Sequence, residues 1–263
     1  NSGHNILATV YAECHSMYRV DGPLTQRSLG ETEFVRGQAA ISASGDFGAA
    51  RACDVMFGNV DLTLGSAVEP ILEQHIEASG GRFRGVRISS GWHSHEGIHN
   101  VGDRESLLLE ASVNEAVNIV HRMNLSLDVW LYHTQLEEVA QLADNHPDLT
   151  IVLNHVGSPI LGGPYRGKND EVFAHWKAAL LPVSERHNVF VKLGAMPIRM
   201  PSYEGDRTLP PSSQEVAQAW RPWMETCIDA FGPARSMYES NFPVQKRWCS
   251  YQVCWNAFKR ISA

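Results

Sequence analysis

Several short apolar runs in this sequence end on groups that move protons or hold anions. Residues 149–154 (LTIVLN) lead into His155, an imidazole suited to acid–base work or metal ligation, and equally to the plainer role of a hydrogen-bonded core histidine. The run 82–87 (RFRGVR) closes on Arg87, whose guanidinium fork matches a carboxylate. A buried arginine also needs a partner, and Glu13 and Glu239 are the structural candidates. Lys192 lies inside 189–193 (VFVKL), where a cation demands a counter-charge, so it serves either the reaction or a buried ion pair. Glu239 and Asn241 are two residues apart and share one face if the segment is a strand. Glu239 is then the candidate base, provided its surroundings tune it.

Tyr18 follows the first apolar run, and Tyr132 and His133 follow the run LSLDVWLY, where they can shape a pocket and donate hydrogen bonds. Asp128, in the middle of that run, reads as structural. His93 and His95 share a face in 92–99 (WHSHEGIH), but a polar loop is a poor cage for a metal. There is no GxSxG elbow, no HExxH and no phosphate-binding P-loop, which argues against a serine hydrolase, a zincin and a P-loop nucleotidase.

The elements that must position these groups alternate along the chain. Strands are expected at 6–12, 55–62, 83–88, 125–132, 149–154, 189–193 and 235–240. Helices are expected at 32–43, 47–53, 67–79, 106–123, 136–145, 172–187, 213–231 and 251–261. Gly80-Gly81 and Pro147 supply stop signals, and Glu215 suits the first turn of the long helix. Strand–helix alternation of this length points to a parallel sheet, either doubly wound or closed into a barrel. In both, chemistry gathers at the carboxyl ends of the strands, where the groups named above fall. No GxGxxG follows the first strand, which disfavours the dinucleotide-binding version. The loops 91–104 and 197–211 are expected to set the pocket shape.

The chain has 263 residues, 43% hydrophobic and 19% charged, with a net charge of −7, enough to bury a full core. The acidic balance argues against nucleic acid or an anionic membrane as partner. No apolar run approaches the roughly 18–20 residues of a membrane span. Five scattered cysteines, Cys14, Cys53, Cys227, Cys249 and Cys254, form no CxxC pair and read as reduced thiols in a cytoplasmic setting. The residues Asn1 to His4 show no basic leader.

An ordered set of motifs carries a resemblance. The segments 10–19 (VYAECHSMYR), 30–40 (GETEFVRGQAA), 82–87 (RFRGVR), 153–157 (LNHVG), 191–194 (VKLG) and 239–244 (ESNFPV) together resemble the amidohydrolase-related TIM-barrel hydrolases. The likeness is to the branch of 2-pyrone-4,6-dicarboxylate and sugar lactonases. It implies one (β/α)8 barrel domain over residues 1–263. It also implies that a first strand with a His-x-His pair, and a C-terminal tail, are missing from this chain. In metal-dependent members an Asp stands where Asn241 stands here, and an amide cannot act as a base. Of the usual ligand set His155 remains, and one ligand does not hold a zinc that wants three or four.

The expectation is therefore a hydrolase of a small carbonyl substrate, a lactone bearing a carboxylate, that requires no cofactor. His155, Glu239, Asn241 and Lys192 make up the catalytic set, and Arg87, Tyr18, Tyr132 and His133 bind substrate. Two alternatives stay open. One is a decarboxylase of the same superfamily, with zinc or manganese held through His155. The other is a retired barrel that only binds a ligand. A homodimer is the default assembly.

Overall fold

A computed structural model of the chain describes residues 3–196 and 210–263. Strands and helices alternate as β1 (Ala8–Ala12), α1 (Leu29–Ala43), β2 (Arg51–Asn59), α2 (Glu69–Ala78), β3 (Phe83–Ser89), α3 (Ala111–Arg122) and β4 (Ser126–Trp130). They continue as α4 (Leu136–Asn145), β5 (Ile151–Leu153), α5 (Asn169–Ser184), β6 (Val189–Gly194), α6 (Ser213–Phe231), β7 (Ser236–Glu239) and α7 (Tyr251–Ile261). Every strand pairs in parallel with the next, in the order β1-β2-β3-β4-β5-β6-β7. Sequential order, one direction and a helix after each strand make this the TIM-barrel arrangement. The described residues supply seven strands, with β1 and β7 as the edges.

The central strands are buried apolar runs because helices cover them. Val86, Leu127, Val129, Ile151, Leu153 and Val191 are buried, and Leu72, Val117, Val139, Trp176, Met224 and Phe258 come in from the helices. Their burial is the main favourable term of the fold. Local chemistry fixes the helix ends. Ser212 accepts from the amide of Glu215 at 3.3 Å while Glu215 accepts from the amide of Ser212 at 2.9 Å, a reciprocal cap that starts α6. Ser250 caps α7 by accepting from Val253 N at 3.2 Å.

Three differences from the sequence reading have local causes. Residues 47–53 are not helical. Gly45 and Gly48 turn the chain at φ 87° and 101°, and Ser42 Oγ accepts from Ala52 N at 2.8 Å, so β2 is already under way at Arg51. The helix expected over 106–123 is divided by Glu110, which is extended, into a 3-10 turn (Leu107–Leu109) and α3. Residues 67 and 68 belong to a 3-10 segment (Leu62–Val68) rather than to α2. The loop expected at 197–211 lies outside the described residues as far as residue 209. No described helix is long and apolar enough to cross a membrane.

Candidate active site

Strands β3, β4 and β6 bring two cations onto one carboxylate. Register places Arg87 directly opposite Asp128 on adjacent strands. Arg87 Nε donates to Asp128 Oδ1 at 2.9 Å, and Lys192 Nζ donates to Asp128 Oδ2. Asn154, just past β5, completes the cluster. Its amide donates to Asp128, and its oxygen accepts from Lys192 at 3.0 Å and from Arg87 Nη2 at 3.4 Å. Phe57 of β2 lies under both cations, 4.4 Å from Lys192 Nζ and 5.0 Å from the Arg87 guanidinium carbon. Asp128, 4% exposed at its side chain, is thus the hub of a buried ion network. In the sequence it is an isolated acid within an apolar run, and that oddity is the signal that could have marked it.

One side of Arg87 is firmly anchored and the other is loosely held. Its Nη1 contacts the Glu13 carbonyl at 3.4 Å and the Glu13 carboxylate at 3.5 Å. The strongest partner is therefore Asp128, which the sequence reading did not propose for it. Burial alone would lower the Arg87 pKa, but Asp128 and Glu13 hold it above its usual value.

His155 and Glu239 meet from β5 and β7. Glu239 Oε1 accepts from His155 Nδ1 at 2.5 Å and from the His155 amide at 3.1 Å. That acceptor fixes the proton on Nδ1 and leaves Nε2, which has no partner among the described residues, as the open nitrogen. Burial pushes the Glu239 carboxyl up. His155 outweighs this by charge and hydrogen bond, helped by Lys192 and Arg87, and brings it down to about 2. A carboxylate that acidic is a poor base, so Glu239 is placed to orient and charge-balance His155.

The loop carrying His155 is strained and clasped. His155, Val156, Gly157 and Ser158 all have positive φ, at 56°, 49°, 76° and 43°. A β-branched residue such as Val156 adopts this region only under constraint, at a cost on the order of 1–3 kcal/mol. Trp176 Nε1 of α5 donates to Val156 O at 2.7 Å. His133 holds the far side, donating its amide to Ser158 O at 3.3 Å and accepting from Ile160 N at its Nδ1, at 3.2 Å. Accepting at Nδ1 makes the buried His133 neutral with its proton on Nε2. Burial, with His175 and His93 nearby, lowers its pKa to about 4. The geometry thus gives His133 a positioning job on this loop.

The remaining predicted residues fall around this centre. Tyr18 stacks on His15 at 5.9 Å, with its hydroxyl buried beside Glu31 and Glu13. Tyr132 donates to the His99 carbonyl and so ties the loop 91–104 to β4. Asn241 has φ 49°, and its carbonyl accepts from Gln245 N at 2.8 Å. Its side-chain amide makes no hydrogen bond among the described residues. His93 is taken up by Tyr165, 3.0 Å from its Nε2, and by the His95 amide at its Nδ1, so His93 and His95 are not poised as a ligand pair. A residue outside the predicted set is Glu31, buried under the β1–α1 loop. Its Oε1 accepts from Tyr11 at 2.9 Å, from Cys14 N at 2.9 Å and from Ser16 N at 3.2 Å.

A divalent metal is the group this kind of site invites. Among the described residues no three His, Cys, Asp or Glu side chains are arranged to hold one. Asp128 faces two cations, and Glu239 faces His155. The described donor set does not fit such an ion.

Comparison with known proteins sets this geometry in context. A family model described as amidohydrolase matches residues 42–263. The chain is 30% identical over 195 residues to the uncharacterized protein y4mH of Sinorhizobium fredii, covering 74% of this chain and 58% of that protein. It is 26% identical over 169 residues to an L-fucono-1,5-lactonase of Burkholderia multivorans, covering 64% of this chain and 53% of the lactonase. The chain thus spans little more than half the length of these curated relatives. Among solved structures, an amidohydrolase from Burkholderia multivorans with bound zinc superposes with a TM-score of 0.66 at 19% identity, over 98% of this chain and 92% of that one. A structure from Pseudomonas putida, described as a 2-pyrone-4,6-dicarboxylic acid hydrolase, gives 0.53 at 17% identity, over 99% and 92%. Likeness at these identities concerns the fold.

Proposed function

The chain belongs to the amidohydrolase family, and from that premise we propose that it hydrolyses a small lactone bearing a carboxylate. The observation that carries the reading is the His155–Glu239 pair, held beside the Arg87–Asp128–Lys192 cluster at one rim of the sheet. The lactonase among the relatives supports the reaction class.

Each group then has a role set by its contacts. His155 Nε2 takes a proton from water, and Glu239 stabilises the imidazolium that forms. The water oxygen attacks the lactone carbonyl, and negative charge develops on the carbonyl oxygen. Lys192 has three N–H donors, of which Asp128 and Asn154 engage two, and the third serves that oxyanion. Arg87 is fixed through Nε, while its Nη groups make contacts of 3.4–3.5 Å, long enough to yield to a substrate carboxylate. A lactone suits such a site because its acyl carbon is more electrophilic than that of an amide.

The test is a paired panel of carboxylated and neutral lactones assayed with wild type and Arg87→Met. The reading expects wild type to prefer the carboxylated member, with the substitution raising KM on that member by about tenfold or more. Equal effects on both members would remove Arg87 from substrate binding. Absence of turnover on the whole panel would remove the lactonase reading.

A further inference from the structure

We propose that His15 is a second catalytic imidazole, the acid that protonates the departing ring oxygen; this rests on the lactone-hydrolase reading above. The rim carries two carboxylate–imidazole pairs, one on each edge strand. Glu239 ends β7 and holds His155. Glu13 follows β1, with its Oε2 3.2 Å from His15 Nε2, at ion-pair distance though not aligned as a hydrogen bond. Glu13 lies 3.5 Å from Arg87, and Glu239 is within electrostatic range of it, so both pairs bear on one cationic centre. They also end a continuous polar chain. From His15 it passes through Glu13, then Arg87 at 3.5 Å, Asp128 at 2.9 Å, and Lys192 and Asn154, the residue before His155.

The two imidazoles use opposite nitrogens. Glu239 accepts from Nδ1 of His155 and leaves Nε2 open, whereas the Glu13 carboxylate lies nearest Nε2 of His15 and leaves Nδ1 open. The His15 side chain is 60% exposed, while its carboxylate partner is buried at 3%, so the ring is open to a ligand from a fixed base. The backbone around it is held in place. His15 sits at φ 58° between Cys14 and Ser16, whose amides both donate to the buried Glu31. Gly30 lets α1 approach this loop, since a Cβ there would stand 2.4 Å from Met17 O. Tyr18 stacks on the ring at an interplanar angle of 16°. An incidental surface histidine needs none of this support.

The step balances. Water loses a proton to His155 Nε2 as its oxygen bonds to the acyl carbon. The bond from that carbon to the ring oxygen then breaks, and the ring oxygen takes a proton from His15 Nδ1. The product is a hydroxy acid, His155 is left protonated and His15 neutral, and exchange with solvent restores both.

Acid assistance matters most for the poorer leaving group. The experiment compares His15→Gln with wild type on two carboxylated lactones. One is 5-oxotetrahydrofuran-2-carboxylate, which opens to an aliphatic alcohol, and the other is 2-oxochroman-4-carboxylate, which opens to a phenol. The expected result is a fall in kcat of about 10²-fold on the first and less than about fivefold on the second, with KM little changed on either. Equal loss on both, no loss on either, or wild type opening only the phenol lactone would overturn the role of His15 and leave the lactonase reading standing. Wild type opening neither would overturn both.

Discussion

Replacing Asp128 by Asn tests whether the ion network is the structural foundation of the rim. Asp128 receives Arg87 Nε, Lys192 Nζ and the Asn154 amide at a side chain 4% exposed. The amide keeps the shape and one acceptor oxygen but removes the charge that both cations share. Removing one partner of a buried pair costs about 3–5 kcal/mol, because the surviving charge stays desolvated. Glu13 and the Asn154 oxygen still reach the cations, which places this site near the lower end, at about 3 kcal/mol. With a urea slope of about 3 kcal/mol/M, the midpoint should fall by about 1 M. The assay is urea unfolding followed by the fluorescence of the seven tryptophans. Adding Lys192→Met to Asp128→Asn should restore part of the loss, since it removes an unpaired buried cation. A midpoint unchanged by Asp128→Asn, or a further fall in the double variant, would show that Asp128 does not anchor the two cations.

Two other consequences concern pH and packing. His133 and His75 are buried and depressed to about 4, chiefly by burial, His133 also by His175 and His93 and His75 also by Arg19. Their folded pKa lies below the unfolded value near 6.5, so stability is full above that pH and falls as pH drops toward 4. At pH 5 the loss should be on the order of 2 kcal/mol for each, and a urea midpoint that stays flat from pH 7 to pH 5 would contradict it. At Gly194, a Cβ would lie 2.2 Å from Glu239 O and 2.6 Å from its Cγ. Gly194→Ala should push Glu239 off His155 and cut turnover by about tenfold or more while circular dichroism stays native. Unchanged kinetics would show that the pair tolerates the displacement.

What the sequence revealed depended on how local the cause was. Helices α4, α6 and α7 start and stop where their side chains say they should, because Pro147, Ser212 with Glu215, and Ser250 act within one turn. The segment 47–53 misled because its small residues suit a helix, while the turn at Gly45 and Gly48 and the hydrogen bonds of Ser42 decide otherwise. The strand-end rule pointed to Arg87, His155 and Glu239, and Lys192 stood out as a cation inside its strand. Neither signal could assign their partners. Arg87 and Asp128 are 41 residues apart and His155 and Glu239 are 84 apart, so pairing follows from strand register and the order of strands in the sheet. The same limit made Glu239 look like the base, whereas its two hydrogen bonds from His155 suit it to orienting that ring. His133 looked like a pocket residue, and the loop it clasps became visible only in three dimensions.

The most direct test of the account is the turnover of a carboxylated lactone by wild type, His155→Asn and Glu239→Gln at neutral pH. If Nε2 of His155 is the base and Glu239 its orienting partner, kcat should fall by about 10²–10⁴-fold in the first variant and by about 10²-fold in the second, with both proteins folded. A His155→Asn enzyme that retains the wild-type rate would contradict the account at its centre.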